Sequence, residues 1–148
     1  MVPLTVDCIV QAAEVQQIPP AVLVGILRVE GGRVGQAVQN RNGSFDLGPM
    51  QINDRTWVPL IARAHFGGNQ DAARIALRDH GCYNMHIGAW IYRQLLDRHN
   101  GNHGEAIGRY HSATPHLKQA YQMRFVRALS SMVQAPVNQQ NQQTASAR

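Results

Sequence analysis

Between Pro20 and Glu30 the chain is aliphatic on almost every side of a helix. The segment PAVLVGILRVE begins at a proline pair, which suits the first turn of a helix. It is followed by Gly31 and Gly32, and glycine commonly ends a helix. A helix without a polar face belongs in the interior of its domain. The segment therefore predicts a core helix that other parts of the chain must cover.

Apolar periodicity predicts helices on both sides of this core helix, with one exception. Residues 36–53 contain Asn42-Gly43, a strong turn signal, and we expect a short antiparallel hairpin there. The predicted fold class is mainly α with a short β-hairpin. The remaining helices are predicted over residues 5–17, 54–65 and 70–79, around the run Ile87, Trp90, Ile91 and Leu95, up to Tyr110, and from Pro115 along the stripe Leu117, Tyr121, Phe125 and Leu129.

The length of 148 residues suits one domain with a sizeable core. Residues 134–148 are rich in Gln and Asn and have almost nothing to bury. We therefore predict a domain over residues 1–133 and a disordered tail over residues 134–148. No apolar run approaches the roughly 20 residues of a membrane-spanning helix, so no span is predicted.

The formal net charge is +5, and the cations are scattered along the chain. A basic surface attracts nucleic acid, anionic membranes or the carboxylate-rich bacterial wall. No run of five or six cations predicts a binding arm. Charge alone therefore permits several partners and selects none.

The two cysteines, Cys8 and Cys82, lack the CxxC spacing of zinc or thioredoxin-like sites. They are either two separate buried thiols or one disulfide that closes a long loop, and a disulfide would imply an oxidising compartment. The start, MVPLTVDC, has neither a basic n-region nor a full apolar h-region. Either an export signal has been removed from the chain or the protein is not exported.

Seven histidines raise the question of a metal site. His99 and His103 are four residues apart, but Gly101 lies between them in a predicted loop, and no third ligand follows at a zinc-like spacing. The histidines are interpreted as surface residues. We predict no metal and no other cofactor.

Glu30 is the carboxylate that the sequence marks for chemistry. It ends an aliphatic helix, where burial and the negative end of the helix dipole both disfavour the charged form and raise the pKa. A carboxylic acid that stays protonated near neutral pH can donate a proton to a glycosidic oxygen. The alternative is a glutamate whose head reaches solvent between the helix end and the flexible glycines.

Three segments resemble the signatures of the soluble lytic transglycosylase family. The helix that ends in Glu30 matches the first signature, NGSFDLGPMQIN (42–53) resembles the second, and AIGRYH (106–111) resembles the third. The resemblance covers roughly residues 8–130 and implies a lysozyme-like fold. It is closest to the small transglycosylases that accompany secretion, conjugation and pilus machines. Members of that group often have a cysteine pair placed like Cys8 and Cys82, so the resemblance implies a disulfide and a periplasmic location.

The resemblance also implies roles for individual residues. Glu30 would be the acid and then the base that cleaves between N-acetylmuramic acid and N-acetylglucosamine of peptidoglycan, with a 1,6-anhydro product. Tyr110 would orient Glu30, Gln51 would contact the sugar, and Met50 would line the groove. The implied partners are glycan strands and components of a transenvelope machine. We expect a monomer that binds no nucleic acid.

Two other functions stay open at this point. Asp46 is either the second carboxylate of a lysozyme-like hydrolase or a residue that caps the predicted turn. The family commonly has Ser, Leu and Asn where this chain has Gly31, Pro49 and His111. These departures leave room for an inactive, wall-binding scaffold.

Overall fold

The computed structural model describes the backbone of residues 1–146 and the side chains of residues 1–133. Within this part the chain forms seven helices and three short strands. In chain order these are α1 (Val6–Gln16), α2 (Pro20–Glu30), β1 (Ala37–Gln39), β2 (Phe45–Leu47), β3 (Ile52–Asn53), α3 (Asp54–His65), α4 (Gln70–Asp79), α5 (Gly81–Arg98), α6 (His103–His111) and α7 (Pro115–Ser146).

The predicted domain boundary falls within α7. This helix continues to Ser146, past residue 133, where the sequence predicted the domain to end. Residues 134–148, for which the sequence predicted disorder, lie outside the residues whose side chains are described. The boundary and the tail therefore stay predictions.

Helix starts follow local capping chemistry. The side chains of Thr5, Asn53, Asn69 and Asn102 each accept a hydrogen bond from a backbone N–H in the first turn of the helix that follows. The core helix α2 instead begins with Pro20, whose missing N–H costs nothing at that position. The short polar residues before the apolar segments thus place the helix starts where the periodicity predicted them.

The core helix α2 is covered by α1 on one side and α7 on another. Leu23 and Ile26 are fully buried, and Gly25 leaves room for the ring of Phe125, which a Cβ atom at this position would overlap. The predicted stripe on α7 is buried at Tyr121 and Phe125, whereas Leu117 is exposed. The helix thus begins to pack against the core about one turn later than the sequence predicted.

The hairpin lies where the sequence predicted it, and one more strand joins it. β1 pairs antiparallel with β2 through Ala37↔Leu47 and Gln39↔Phe45, and β2 pairs antiparallel with the two-residue strand β3. The connecting turn contains Gly43 at φ 83°, a conformation that glycine adopts without strain. The predicted fold class, mainly α with a small antiparallel sheet, is confirmed.

A buried amide ties the sheet to α5. Asn84 Nδ2 donates to the carbonyls of Leu47 (2.9 Å) and Leu77 (2.8 Å), and Asn84 Oδ1 accepts from the backbone N–H of Met50 (2.8 Å). Leaving these buried polar groups without partners would cost more than the hydrogen bonds themselves contribute. The amide therefore fixes the segment between β2 and β3 on the helix.

Cys8 and Cys82 form a disulfide, with their Cα atoms 5.4 Å apart. The bond joins α1 to the first turn of α5, and this confirms the pairing implied by the family resemblance. Among the residues that the structure describes, no helix is long and apolar enough to cross a membrane.

Candidate active site

A cleft of about 470 Å³ lies between the sheet and the helices. Its lining is mostly polar on the sheet side, where amide and hydroxyl side chains line the wall, and mixed on the helical side. The lining residues are Glu30, Asn40, Asn42, Ser44, Asp46, Gln51, Ile52, Asn53, Thr56, Trp57, Ile91, Leu95, Arg109, Tyr110 and His111. The predicted site residues Glu30, Asp46, Gln51 and Tyr110 are all in this set.

Glu30 is the last residue of α2 and is largely buried. The pKa of its carboxyl is raised from 4.5 to about 7, chiefly because burial penalises the charged form. A hydrogen bond from Tyr121 opposes this rise, the charge of Asp46 adds to it, and Arg124 opposes it. The direction is the one that the sequence predicted from burial. At neutral pH the group is therefore present in both protonation states.

The hydroxyl that contacts Glu30 belongs to Tyr121. Tyr121 Oη donates to Glu30 Oε1 at 2.9 Å from within the core. Tyr110, to which the sequence analysis assigned this position, donates instead to the backbone carbonyl of Met50 at 2.8 Å. The sequence indicates only that Tyr121 lies on an apolar stripe. A buried tyrosine hydroxyl needs a hydrogen-bond partner, and Tyr121 carries the one hydroxyl of that stripe, so the stripe itself indicates a polar contact at this residue.

Met50 does not line the cleft. Its side chain is fully buried, and it occupies the space beside Gly88 of α5, where a Cβ atom would lie 2.9 Å from it. The next residue, Gln51, has φ 52°, which turns its side chain to the cleft, and its Nε2 donates to the carbonyl of Gly48 at 2.9 Å. The predicted position of Met50 is thus wrong, because the backbone turn directs neighbouring side chains to the core and to the cleft.

Gly32 brings the end of α2 close to this turn. A Cβ atom at Gly32 would lie 2.7 Å from Gln51 Nε2 and would overlap the carbonyl oxygen of Gly48. Gly31, the residue between, adopts φ 65° and closes the helix by donating its N–H to Leu27. The glycine pair therefore ends the helix and also allows Glu30 and Gln51 to share one cleft.

Asp46 lies on β2 in the wall of the cleft. Its Oδ1 accepts from Asn53 Nδ2 at 3.0 Å, across the antiparallel pair that the two residues form. The turn, which Asp46 would cap on one of the two interpretations, is closed by Asn42, whose Oδ1 accepts from the N–H and the hydroxyl of Ser44. Asp46 is therefore a second carboxylate in the cleft, and its charge acts on Glu30.

One of the two histidines considered for metal binding, His103, has another partner. His103 Nδ1 lies 2.6 Å from the hydroxyl of Tyr92. Among the described residues, no group of three or more His, Cys, Asp or Glu side chains is arranged to hold a metal ion.

A helical domain with a small antiparallel sheet, and a protonatable carboxyl in the cleft between them, define the lysozyme-like class of proteins. Residues 7–128 match the family model described as the transglycosylase SLT domain, and the chain belongs to this family. It is 31% identical over 120 residues to Protein IpgF of Shigella flexneri, a match that covers 80% of this chain and 74% of the relative. Protein IpgF of Shigella sonnei matches to the same extent. The predicted family and lysozyme-like fold are confirmed, and the protein is of the lytic transglycosylase type, which acts on peptidoglycan.

Proposed function

We propose that the protein is a lytic transglycosylase that cleaves the β-1,4 bond between N-acetylmuramic acid and N-acetylglucosamine and leaves a 1,6-anhydro end. The observation that carries the proposal is the environment of Glu30, a largely buried carboxyl with a pKa of about 7 that faces an open cleft. A group whose pKa lies near the working pH can give a proton in one step and take one in the next. One carboxyl is enough for both half-reactions.

In the first half-reaction the protonated Glu30 gives its proton to the glycosidic oxygen, and the bond from that oxygen to the anomeric carbon of muramic acid breaks. The Glu30 carboxylate then takes the proton of the C6 hydroxyl, whose oxygen attacks the anomeric carbon. No water is consumed. The Tyr121 hydroxyl holds Oε1 of Glu30, and Oε2 is the oxygen that meets the substrate.

The polar wall of the cleft supports a sugar substrate. Asn40 and Gln51 offer amide groups, and these match the hydroxyl and N-acetyl groups of the glycan. Trp57, on α3, also lines the cleft and offers an apolar ring surface. We assign Gln51 to sugar contact on this basis. Tyr110 supports the turn that carries Gln51, since it bonds the preceding carbonyl, that of Met50.

Asp46 favours one alternative, a lysozyme-like hydrolase. Retaining hydrolases use a second carboxylate as the nucleophile, and Asp46 lines the same cleft as Glu30. We propose a different role, in which Asp46 stabilises the positive charge that develops on the sugar. Its hydrogen bond from Asn53 holds one of its oxygens in the sheet and suits a fixed charge.

The location and biological role extend the proposal. The disulfide between Cys8 and Cys82 suits an oxidising compartment, and we propose the periplasm. The resemblance to the small machine-associated transglycosylases supports local opening of the wall for a secretion, conjugation or pilus machine, by a monomer. The inactive scaffold has less support, because the hydrogen bond and the burial of Glu30 are intact despite Gly31, Pro49 and His111.

Mass spectrometry of purified wall digested with the oxidised protein tests the reaction. We expect muramic acid ends that are lighter by one water than hydrolysis products. Glu30→Gln should lose at least 10²-fold in rate because an amide cannot donate the proton, whereas Glu14→Gln, on an exposed position of α1, should cleave normally.

Asp46→Asn distinguishes the transglycosylase reaction from hydrolysis. A transglycosylase should keep substantial activity without this charge, and the ends should stay anhydro. Reducing ends from the wild type, together with a folded but inactive Asp46→Asn protein, would assign the protein to the hydrolases. A folded wild type that releases no fragments from several walls would instead support the scaffold.

A further inference from the structure

The imidazole of His111 lies against the ring of Tyr121. The two ring centroids are 5.1 Å apart and their planes differ by 6°, so the rings are stacked. The guanidinium carbon of Arg124 lies 5.5 Å from the centroid of the same Tyr121 ring. The tyrosine that donates a hydrogen bond to Glu30 is therefore itself held by contacts on its ring. His111 stands at a position where the resembled family commonly has an asparagine, which offers no aromatic ring.

The stack depends on how α6 and α7 pack. Gly108 lets the two helices approach, since a Cβ atom there would overlap the side chain of Lys118. Lys118 Nζ also pairs with Glu105 Oε1 at 2.8 Å. These contacts fix the relative position of the two helices, and His111 is the last residue of α6. The imidazole that stacks on Tyr121 therefore lies at the fixed end of a helix and not on a free loop.

The hydroxyl of Tyr121 lies where the whole ring is held. Rotation of the ring about its bond to Cβ does not move the hydroxyl oxygen, because that oxygen lies on the rotation axis. The rotamer about Cα–Cβ and the groups packed against the ring therefore decide where the hydroxyl lies. Only some positions of the side chain keep the hydroxyl 2.9 Å from Glu30 Oε1. We propose that His111 is a positioning residue, whose ring holds Tyr121 so that the hydroxyl stays on Glu30.

The imidazole acts here by its shape rather than by its charge. Desolvation lowers the pKa of His111 from its usual 6.5, Arg124 lowers it further, and Asp46 raises it in part. The ring is therefore mostly neutral at pH 7 and above. The titratable and charged groups around it are Arg109 and Tyr110 on its own helix, Arg124 and Tyr121 on α7, Asp46 on β2 and Glu30 on α2.

The sign of the effect follows from the hydrogen bond. The Tyr121 hydroxyl stabilises the carboxylate form and holds the pKa of Glu30 below the value that burial alone would give. When His111 is replaced by a small residue, Tyr121 gains freedom and the bond is weakened. The pKa of Glu30 should then rise, by about one pH unit if most of the bond is lost. A ring without charge at position 111 should restore the wild-type value.

Carbon-13 NMR of glutamate-labelled protein measures this directly, because the chain has three glutamates, Glu14, Glu30 and Glu105. We expect the titration midpoint of Glu30 to rise in His111→Ala, in the same direction as in Tyr121→Phe, and to match the wild type in His111→Phe. His116→Ala, an exposed histidine on α7, is the matched control and should change nothing. If His111→Ala does not fold, His111→Asn takes its place in the titration, because asparagine also lacks an aromatic ring.

Two outcomes of the titration would overturn the proposal. An unchanged midpoint in His111→Ala would show that the stack does not hold Tyr121. A shift in His111→Phe as large as in His111→Ala would show that the imidazole acts by its charge or hydrogen bonds and not as a ring.

A second experiment measures the kinetics of cleavage of solubilised glycan strands, and it rests on the proposed function. His111→Ala should lower kcat about tenfold with KM changed less than about twofold, and the alkaline limb of its pH profile should move upward. A rise in KM alone would make His111 a substrate-binding residue and refute positioning. A wild type without activity would refute the proposed function, whereas the NMR titration would still decide the role of His111.

Discussion

Replacing Glu30 by glutamine should stabilise the fold in neutral and alkaline solution while it abolishes cleavage. The glutamine keeps the shape of the side chain, and its carbonyl oxygen can still accept from the Tyr121 hydroxyl. The substitution removes the free-energy cost of burying the carboxylate charge. A carboxylic acid in a poorly hydrated site should therefore lower the stability of its own protein.

The magnitude follows from the pKa of Glu30. The rise from 4.5 to about 7 corresponds to about 3 kcal/mol, at about 1.4 kcal/mol for each pH unit. Below pH 4.5 the group is protonated in both the folded and the unfolded chain, so it costs nothing. Between pH 4.5 and 7 the unfolded chain releases the proton that the folded chain keeps, and the cost grows. Above pH 7 the carboxyl is ionised in both the folded and the unfolded chain, and the folded state carries the full free-energy cost of the buried charge.

Urea unfolding of the oxidised protein at pH 4 and pH 8 measures the effect. The free energy of unfolding of Glu30→Gln, relative to the wild type, should increase by about 3 kcal/mol between the two values. Glu14→Gln, at an exposed position, provides the control and should show no such increase. An increase below about 1 kcal/mol for Glu30→Gln would refute the argument that burial raises the pKa of this carboxyl.

Two further predictions concern the disulfide and Tyr121. Replacing Cys8 and Cys82 together by alanine opens a loop with a sequence separation of 74 residues, and it should lower the free energy of unfolding by about 4 kcal/mol in a chain-entropy estimate. Urea unfolding of the variant measures the loss, and a loss below about 1 kcal/mol would contradict it. Tyr121→Phe should raise the pKa of Glu30 and move the alkaline limb of the rate profile to higher pH, since the carboxylate loses a donor. An unmoved limb in a folded Tyr121→Phe protein would show that this hydroxyl does not stabilise the carboxylate.

The helices could be predicted because their signals are local. Proline, glycine and short polar residues mark where α2, α3, α4 and α6 begin or end, and apolar spacing gives the buried face. The hairpin followed from Asn42-Gly43 in the same way. The third strand, β3, has only two residues, Ile52 and Asn53, and no pattern can mark so short an element. It exists because β2 offers it a partner.

The site could be predicted only in part. Glu30 was found because its own helix makes a charge unfavourable there. Tyr121 is 91 residues away along the chain, and periodicity identifies the face on which it lies but not the group that its hydroxyl meets. Met50 and Gln51 were assigned the same environment, but the positive φ of Gln51 separates them. Such a conformation in a residue other than glycine is set by tertiary contacts, here the Asn84 amide that holds the turn.

The disulfide divides the parts of the site between two stretches of the chain. The loop that it closes contains Glu30, all three strands and Gln51, whereas Tyr121 and His111 lie outside it. A chain in which α7 has not docked would have Glu30 as an ordinary carboxyl, ionised at neutral pH and with no proton to give. On the proposed function, a newly made or partly unfolded molecule would therefore be unable to cleave peptidoglycan. This ability would arise only when both stretches have come together.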